Sequence, residues 1–165
     1  MDSDETFYIK GPMGLGLRVA YSGVHVAFCA GTGILVFLDL VSTLLIKSAF
    51  EGLGKPLPGG MEDRIGRDFQ LHLYVSFKNQ DEAIGLDICE KLRDLSPNFK
   101  LTVRWGGSGA LRWGHSYLEQ ELSAVDGELK RIWVCGPPSM NQAFDRGFER
   151  IHRRLGLASD AIDIL

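Results

Sequence analysis

The stretch Val24-His25-Val26-Ala27-Phe28-Cys29-Ala30-Gly31-Thr32-Gly33-Ile34 decides the fold. Its first six residues form an almost continuous apolar run, which is typical of a strand buried on both faces of a parallel sheet. The Gly31-Thr32-Gly33 turn follows at once, and a helical apolar pattern begins near Leu35. A buried strand, a glycine turn and a helix in this order predict the first βα unit of an open α/β sheet.

The glycine turn allows two interpretations. Glycines let the backbone approach a ligand closely, and the free amides at a helix start favour an anion such as a phosphate. The full G-x-G-x-x-G pattern of dinucleotide-binding proteins is absent, because Val36 stands three residues after Gly33. By itself the turn is therefore compatible with a phosphate-binding loop and with a purely structural turn.

Apolar runs rich in β-forming residues alternate with helical patterns along the rest of the chain. Further strands are predicted at 70–77, 100–105 and 131–135, with a weaker one at 161–165. Helices are predicted at 84–95, 116–125 and 139–155, the last two capped by Ser116 and Ser139. The alternation predicts a Rossmann-like open sheet of five parallel strands with helices on both faces, a three-layer α/β/α domain.

Residues 48–68 depart from this compact pattern. The segment is rich in glycine and proline, has weak periodicity, and is much longer than the connections of about 2–6 residues that usually join a helix to the next strand. It is interpreted as a loop insertion. A surface loop and a docking or lid segment for a partner domain are the two possibilities.

Composition and charge argue against several kinds of partner and binding site. A chain of 165 residues is long enough for one domain, and its net charge of −3 without a run of basic residues argues against nucleic acid as a partner. Three cysteines and four histidines show no metal-ligand spacing, so no metal site is expected. The amino terminus is acidic and is not followed by the apolar run of a signal peptide, so no targeting sequence is expected. The predicted location is the cytoplasm or the cytosolic face of a membrane. The apolar residues 24–46 are interpreted as strand, turn and helix, with no membrane span in this chain.

A second glycine-containing loop follows the strand predicted at 131–135. It reads Cys135-Gly136-Pro137-Pro138-Ser139-Met140 and leads directly into a helix. Because ligands of open parallel sheets bind outside the carboxyl ends of the strands, this loop and the glycine turn are expected to hold one elongated anionic ligand. Cys135 is either a small buried side chain or a reactive group.

Three segments in this order resemble the nicotinamide-nucleotide domain of the ferredoxin reductase and cytochrome b5 reductase superfamily. They are Gly11-Pro12-Met13-Gly14-Leu15-Gly16, Gly31-Thr32-Gly33-Ile34 and the Cys135 to Met140 loop, and the resemblance runs from about Ile9 to the carboxyl end. It implies an oxidoreductase domain that binds NADH or NADPH and positions it for hydride transfer to FAD. The FAD would be held by a preceding β-barrel domain, and electrons would pass on to an acceptor domain or protein.

The resemblance also implies a role for each matching residue. The pyrophosphate would lie against Gly31, Thr32 and Gly33, and Cys135 would act beside the nicotinamide C4 as the catalytic residue. The other residues of the nucleotide groove would be Phe77, Lys78, Asn79 and Gln80 near the adenosine ribose, together with Gly136, Pro137 and Met140. Trp113-Gly114 matches a similar pair in the family.

Coenzyme choice follows from the residues near the ribose. A 2′-phosphate needs a fixed arginine or lysine, and Lys78 is the only such residue between Leu71 and Glu90. Asn79 and Gln80 suit a free 2′-hydroxyl, so NADH is favoured over NADPH.

Two departures from the family suggest an alternative. Leu35-Val36 stand where cytochrome b5 reductase-like members have Thr-Pro, and Ile164-Leu165 stand where the family often has a terminal aromatic residue. No flavin motif precedes Gly11. Residues 1–18 are interpreted as a lead-in from a missing FAD-binding barrel, and residues 19–165 as the NAD(P)-binding domain. The isolated chain is expected to be inactive, with apolar surface exposed near Leu15 and Leu17. The alternative is a catalytically inactive nucleotide-sensing or scaffolding module.

Overall fold

A computed structural model describes residues 16–59, 64–106, 113–152 and 154–165. Its strands are β1 (Gly23–Ala30), β2 (Phe69–Phe77), β3 (Phe99–Trp105), β4 (Leu129–Cys135) and β5 (Ile162–Ile164). Its α-helices are α1 (Leu35–Gly52), α2 (Leu86–Leu95), α3 (His115–Ser123) and α4 (Pro138–Ile151).

The strands form one parallel sheet in the order β3-β2-β1-β4-β5. Helices α1 and α2 pack on one face of this sheet, and α3 and α4 pack on the other. The predicted α/β fold with five parallel strands is therefore confirmed. Each predicted strand is present within two residues of its expected limits.

Strand β1 lies at the centre of both cores because its side chains alternate between the two faces. Val24, Val26 and Phe28 pack towards α3 and α4, whereas Ala27 and Cys29 pack towards α1 and α2. All five side chains are at most 1% exposed. Burial of this apolar surface on both sides explains why the run carries no polar alternation.

The long helix after β1 buries one side only. Phe37, Val41 and Leu44 pack against the sheet, while Leu35 and Ile46 are exposed on the outer side. The helical segment Gly31–Gly52 is by length and composition able to cross a membrane, a test that the core helix of a globular domain also passes. That the chain has no membrane span stays a prediction.

The segment between α1 and β2 differs from its expected limits. Helix α1 continues to Gly52, so the first residues assigned to the insertion are helical. The end of the connection is fixed to the domain: Ile65 is buried, and the nearly buried Lys47 ammonium donates a hydrogen bond of 2.6 Å to the Gly66 carbonyl. Residues 60–63 lie outside the described part.

Several predicted helix ends were wrong. Neither Ser116 nor Ser139 is a capping residue, because α3 starts at His115 after Gly114 and α4 starts at Pro138. Proline is well suited to the first helical position, which places Ser139 within the first turn. Helix α2 begins at Leu86, and α4 ends at Ile151.

The segment that leads into β1 is only partly described. Gly11 to Leu15 lie outside the described residues, so neither the junction motif nor the surface expected at Leu15 can be placed. Leu17 is half-buried against the α1 side of the core, and its carbonyl accepts a hydrogen bond of 2.9 Å from the Trp133 indole. It therefore does not form the exposed apolar surface that was expected there.

Two histidines are buried in the sheet as neutral side chains. His25 stacks between Phe69 and Trp133, and its Nε2 accepts a hydrogen bond of 3.1 Å from the Ala20 amide. His72 lies in β2, and its buried Nε2 has no hydrogen-bond partner. Burial lowers the pKa of each imidazole to about 4.

We expect acid to destabilise the fold through these histidines. Because each folded-state pKa lies below the ordinary value of 6.5, the contribution is complete above pH 6.5 and is lost as the pH falls towards 4. The loss should approach roughly 3 kcal/mol for each histidine. Urea denaturation between pH 7.5 and 4.5 measures it, and His72→Leu should make the pH dependence shallower. An equally steep dependence in that variant would contradict the assignment.

Candidate functional site

The carboxyl ends of β1, β2, β3 and β4 meet at one edge of the sheet and enclose two adjoining cavities. The first, of about 610 Å³, contains the glycine turn and is called the glycine cavity. The second, of about 520 Å³, contains Arg104 and is called the arginine cavity. Both are lined by Ala30, Ser76, Gly106 and Pro137, so they form one continuous depression.

Most of the residues proposed from sequence lie in this depression. Those that line the glycine cavity are Gly31, Thr32, Gly33, Phe77, Lys78, Cys135, Gly136 and Pro137. Met140 lines the arginine cavity, which Pro137 also reaches. Asn79 and Gln80 line neither: the Asn79 side chain instead accepts a hydrogen bond of 3.0 Å from the Glu82 amide and caps the short turn Gln80–Glu82.

The glycine turn has a conformation that depends on its glycines. Residues Gly31–Ile34 form a 3-10 turn between β1 and α1. Gly31 has φ = +54°, in the left-handed region that strains other residues, and the space beside its Cα is open. The backbone of this turn is therefore accessible to a ligand from the glycine cavity.

Gly33 brings the turn against the loop after β4. A methyl group at this position would lie 2.8 Å from the carbonyl carbon of Cys135 and even closer to its carbonyl oxygen. The contact follows from the pairing of β1 with β4, in which Cys29 and Cys135 are register partners. The two loops expected to share one ligand are thus in direct contact.

The loop after β4 is closed over by Met140. A methyl group on Gly136 would lie 2.6 Å from the Met140 sulfur, so the absence of a side chain there lets Met140 fold back over the loop. The Pro137 carbonyl accepts hydrogen bonds from the Met140 and Asn141 amides at 2.8 and 3.1 Å. Pro137, Pro138 and these bonds fix the entrance of α4.

Cys135 is half-buried at the boundary between this loop and the glycine cavity. Burial raises the pKa of its thiol above the ordinary value of 9. The group is therefore protonated at neutral pH, and a reactive thiolate is not favoured. Its contribution to a binding site is the shape of a small polarisable side chain.

The two charged side chains among the described residues that line the glycine cavity are both exposed. Lys78 lies 3.8 Å from Glu82, and both side chains are more than half exposed. An exposed pair of this kind contributes little to stability and leaves the lysine free to reorient. Glu82, which the sequence did not single out, is the acidic residue in this wall.

The arginine cavity contains residues that sequence reasoning missed. Ala30, Ser76 and Arg104 are register partners across β1, β2 and β3, and all three line the cavity. Trp113 closes one side, and Phe144 forms part of the wall. The rule that ligands bind at carboxyl ends of strands could have drawn attention to Arg104, near the end of β3.

Comparison with known proteins identifies the fold. No protein-family model and no curated protein sequence matches the chain. Among solved structures, flavohemoglobin from Malassezia yamatoensis with bound FAD and heme is 17% identical, with a TM-score of 0.55. The CS-b5R domains of human Ncb5or in the NAD+ form are 15% identical, with a TM-score of 0.61. Ferredoxin-NADP+ reductase from Plasmodium falciparum is 14% identical, with a TM-score of 0.52.

The chain shares one fold with all three proteins. The matches cover 94%, 94% and 86% of this chain, but only 34%, 39% and 52% of those chains, respectively. The resemblance to the ferredoxin reductase and cytochrome b5 reductase superfamily is confirmed at the level of the fold. The chain spans between a third and about half of the length of these proteins.

We expect Gly33→Ala to separate the two loops. The added methyl group clashes with backbone of Cys135, which cannot rotate away as a side chain can, so stability should fall by about 1–3 kcal/mol. Gly52→Ala is the matched control, because the end of α1 has open space at that position. Thermal unfolding of both variants checks this. Equal stability of the two would show that the contact is not tight.

Proposed function

We propose that this chain is the nicotinamide-nucleotide-binding part of a flavin-dependent oxidoreductase. The observation that carries the proposal is the continuous depression at the carboxyl edge of the sheet, which joins the loops after β1, β2 and β4. Its two cavities have the size and elongated arrangement that a dinucleotide needs. The reductases with the same fold support the chemical class.

The glycine turn is the proposed site of the pyrophosphate. Gly31 presents backbone without a side chain, and the turn leads into α1, whose amino end carries partial positive charge. Thr32 is exposed beside it and adds a hydroxyl group. These features favour a bound anion without requiring a lysine or arginine in the turn.

Cys135 is the proposed neighbour of the nicotinamide ring. When bound, the nicotinamide supplies the hydride that a flavin accepts. The half-buried thiol, whose pKa is raised by burial, would pack against the ring and limit its position without forming a covalent bond. The backbone of Gly33 lies against the Cys135 carbonyl group. The protein thereby supplies orientation, which the transfer of a hydride between two rings requires.

A flavin-binding domain is the proposed partner at this edge. Leu35 and Val36 at the start of α1 are 47% and 41% exposed, and Leu165, beyond β5, is 45% exposed. The Leu165 amide donates a hydrogen bond of 2.8 Å to the Val134 carbonyl, which keeps that residue beside the end of β4. Apolar side chains exposed around a binding depression are typical of a surface that another domain covers.

The alternative, a nucleotide-sensing or scaffolding module without catalysis, rests on the same Leu35-Val36 pair. The absence of a hydroxyl and a proline there changes the edge that would contact a flavin. A nucleotide sensor also requires nucleotide binding, a scaffold does not, and only the first proposal requires hydride transfer. Only the first proposal includes attached domains and an electron acceptor.

We expect NADH to bind in the depression. In an NMR titration, the largest chemical-shift changes should occur at the amides of Gly31, Thr32, Gly33 and Gly136. Amides around Gly66, at the opposite edge of the sheet, serve as the internal control and should not shift. Changes confined to that opposite edge, or none at millimolar NADH, would exclude the assigned site.

Catalytic action is tested by Cys135→Ala in the flavoprotein that contains this domain. Loss of the side chain should let the nicotinamide ring move and should lower the rate of flavin reduction by about tenfold, with little change in nucleotide affinity. Cys89→Ala, which removes a buried thiol from α2, is the matched control. Rapid mixing with NADH measures the rate. A wild-type rate for Cys135→Ala would remove this role.

A further inference from the structure

A third cavity lies at the edge of the sheet opposite the depression that contains the glycine turn. Its volume is about 280 Å³, and it is called the basic cavity. It forms where the segment before β1 meets the end of the connection between α1 and β2. The Gly66 amide joins the two by donating a hydrogen bond of 2.7 Å to the Tyr21 carbonyl. Among the described side chains that line the cavity, Lys47, Lys55 and Arg67 are cationic and Glu51 is acidic.

The Lys47 ammonium group is enclosed by protein with little compensation for its charge. The residue is only 7% exposed. Its Nζ donates a hydrogen bond of 2.6 Å to the Gly66 carbonyl, and the nearest carboxylate oxygen in the described part of the chain, from Glu51, lies 3.9 Å away. An ammonium group has three donors, and a buried charge is costly unless it is paired and hydrogen-bonded. An acceptor in the cavity would supply what Lys47 lacks.

The other two cations come from opposite ends of the segment 48–68. The Lys55 amide donates a hydrogen bond of 3.0 Å to the Phe50 carbonyl, which holds this residue beside the end of α1. The Arg67 carbonyl accepts a hydrogen bond of 2.9 Å from the Asn98 side chain, just before β3. The backbone is therefore fixed at both cations, while their exposed side chains can move onto a ligand.

Acidic groups offset this positive charge only in part. The Glu51 side chain is about half exposed, at 48%. Asp68 approaches Gly66, where a methyl group would lie 3.1 Å from its carboxylate oxygen, but Asp68 does not line the cavity. Tyr21 and Leu57 add apolar surface to the wall. The cavity thus combines an excess of cations with a small apolar surface.

We propose that the basic cavity binds a small phosphate monoester. Lys47, Lys55 and Arg67 surround the phosphate, and the organic group lies against Tyr21 and Leu57. A phosphate monoester carries a charge of about −1.5 to −2 at neutral pH, which matches a wall with an excess of cations. Arginine and lysine both form charge-assisted hydrogen bonds to phosphate.

The size of the cavity limits the ligand. Sites for drug-sized molecules have volumes of about 300–1,000 Å³, so a cavity of about 280 Å³ suits a smaller molecule than a dinucleotide. The inference does not depend on the proposed function, because the two sites lie at opposite edges and share no lining residue. It gives the segment 48–68 a role in binding a small molecule.

The test is an NMR titration of the whole chain with glycerol 3-phosphate. Low ionic strength is used because salt screens exposed cations. The largest chemical-shift changes should occur at the amides of Gly66 and Arg67. Inorganic phosphate should cause the same changes with lower affinity, because it has no organic group to contact Tyr21 and Leu57.

Variants assign the binding to the three cations. Lys55→Gln and Arg67→Gln should each weaken binding by about threefold to tenfold, the effect of losing one hydrogen bond of about 0.5–1.5 kcal/mol. Lys78→Gln makes the same change of charge at the opposite edge and should have no effect. Lys47→Met keeps the apolar stem and should abolish most of the binding. If Lys47→Met unfolds, the two variants of exposed cations still decide the matter.

Four outcomes would overturn the proposal. They are no change at Gly66 with millimolar ester, changes confined to Gly31 and Gly33, wild-type affinity in both Lys55→Gln and Arg67→Gln, and inorganic phosphate binding as tightly as the ester. Binding seen only in a Glu62→Gln, Asp63→Asn double variant would also overturn it, because the chain's own carboxylates would then compete for the cations. NADH binding at the other edge would be unchanged in each case, so failure here leaves the proposed function intact.

Discussion

The position of β1 between β2 and β4, parallel to both, is the constraint on which the other features of this domain depend. It buries the apolar run on both faces, and it brings three connecting loops to one edge of the sheet. The pairing of Cys29 with Cys135 then fixes how closely the loops after β1 and β4 approach one another. That approach leaves room only for glycine at position 33.

The two faces of the sheet bury different sets of side chains beneath different helices. On one face, α1 and α2 cover a cluster of aliphatic and aromatic side chains, with His25 stacked between Phe69 and Trp133. On the other face, the aromatic cluster of Phe28, Tyr74 and Phe144 continues to the wall of the arginine cavity. The Tyr74 hydroxyl donates a hydrogen bond of 2.8 Å to Glu121. Core packing and the geometry of the depression are thus properties of the same side chains.

Local sequence patterns predicted the sheet because its central strands are almost continuous apolar runs. The loops after β1 and β4 could also be assigned to one edge, since the ends of parallel strands must meet. The same rule places Arg104, near the end of β3, at this edge, but it does not show which side chains lie beside it. Its neighbour Ser76 is distant in the sequence, and only the pairing of β2 with β3 puts the two side by side. Helix starts were misplaced for another reason: Ser139 satisfies a capping pattern, but Pro138 already occupies the first helical position.

The contact between Gly33 and Cys135 also limits how the domain can change in length. The connection between α1 and β2 lies away from this contact, and such surface connections accommodate added residues at small entropic cost. The turns after β1 and β4 have no such tolerance. An insertion in either would push backbone into the other, and the strand register on both sides would have to shift. Diversification of this edge must therefore proceed by exchange of side chains around a backbone of constant length.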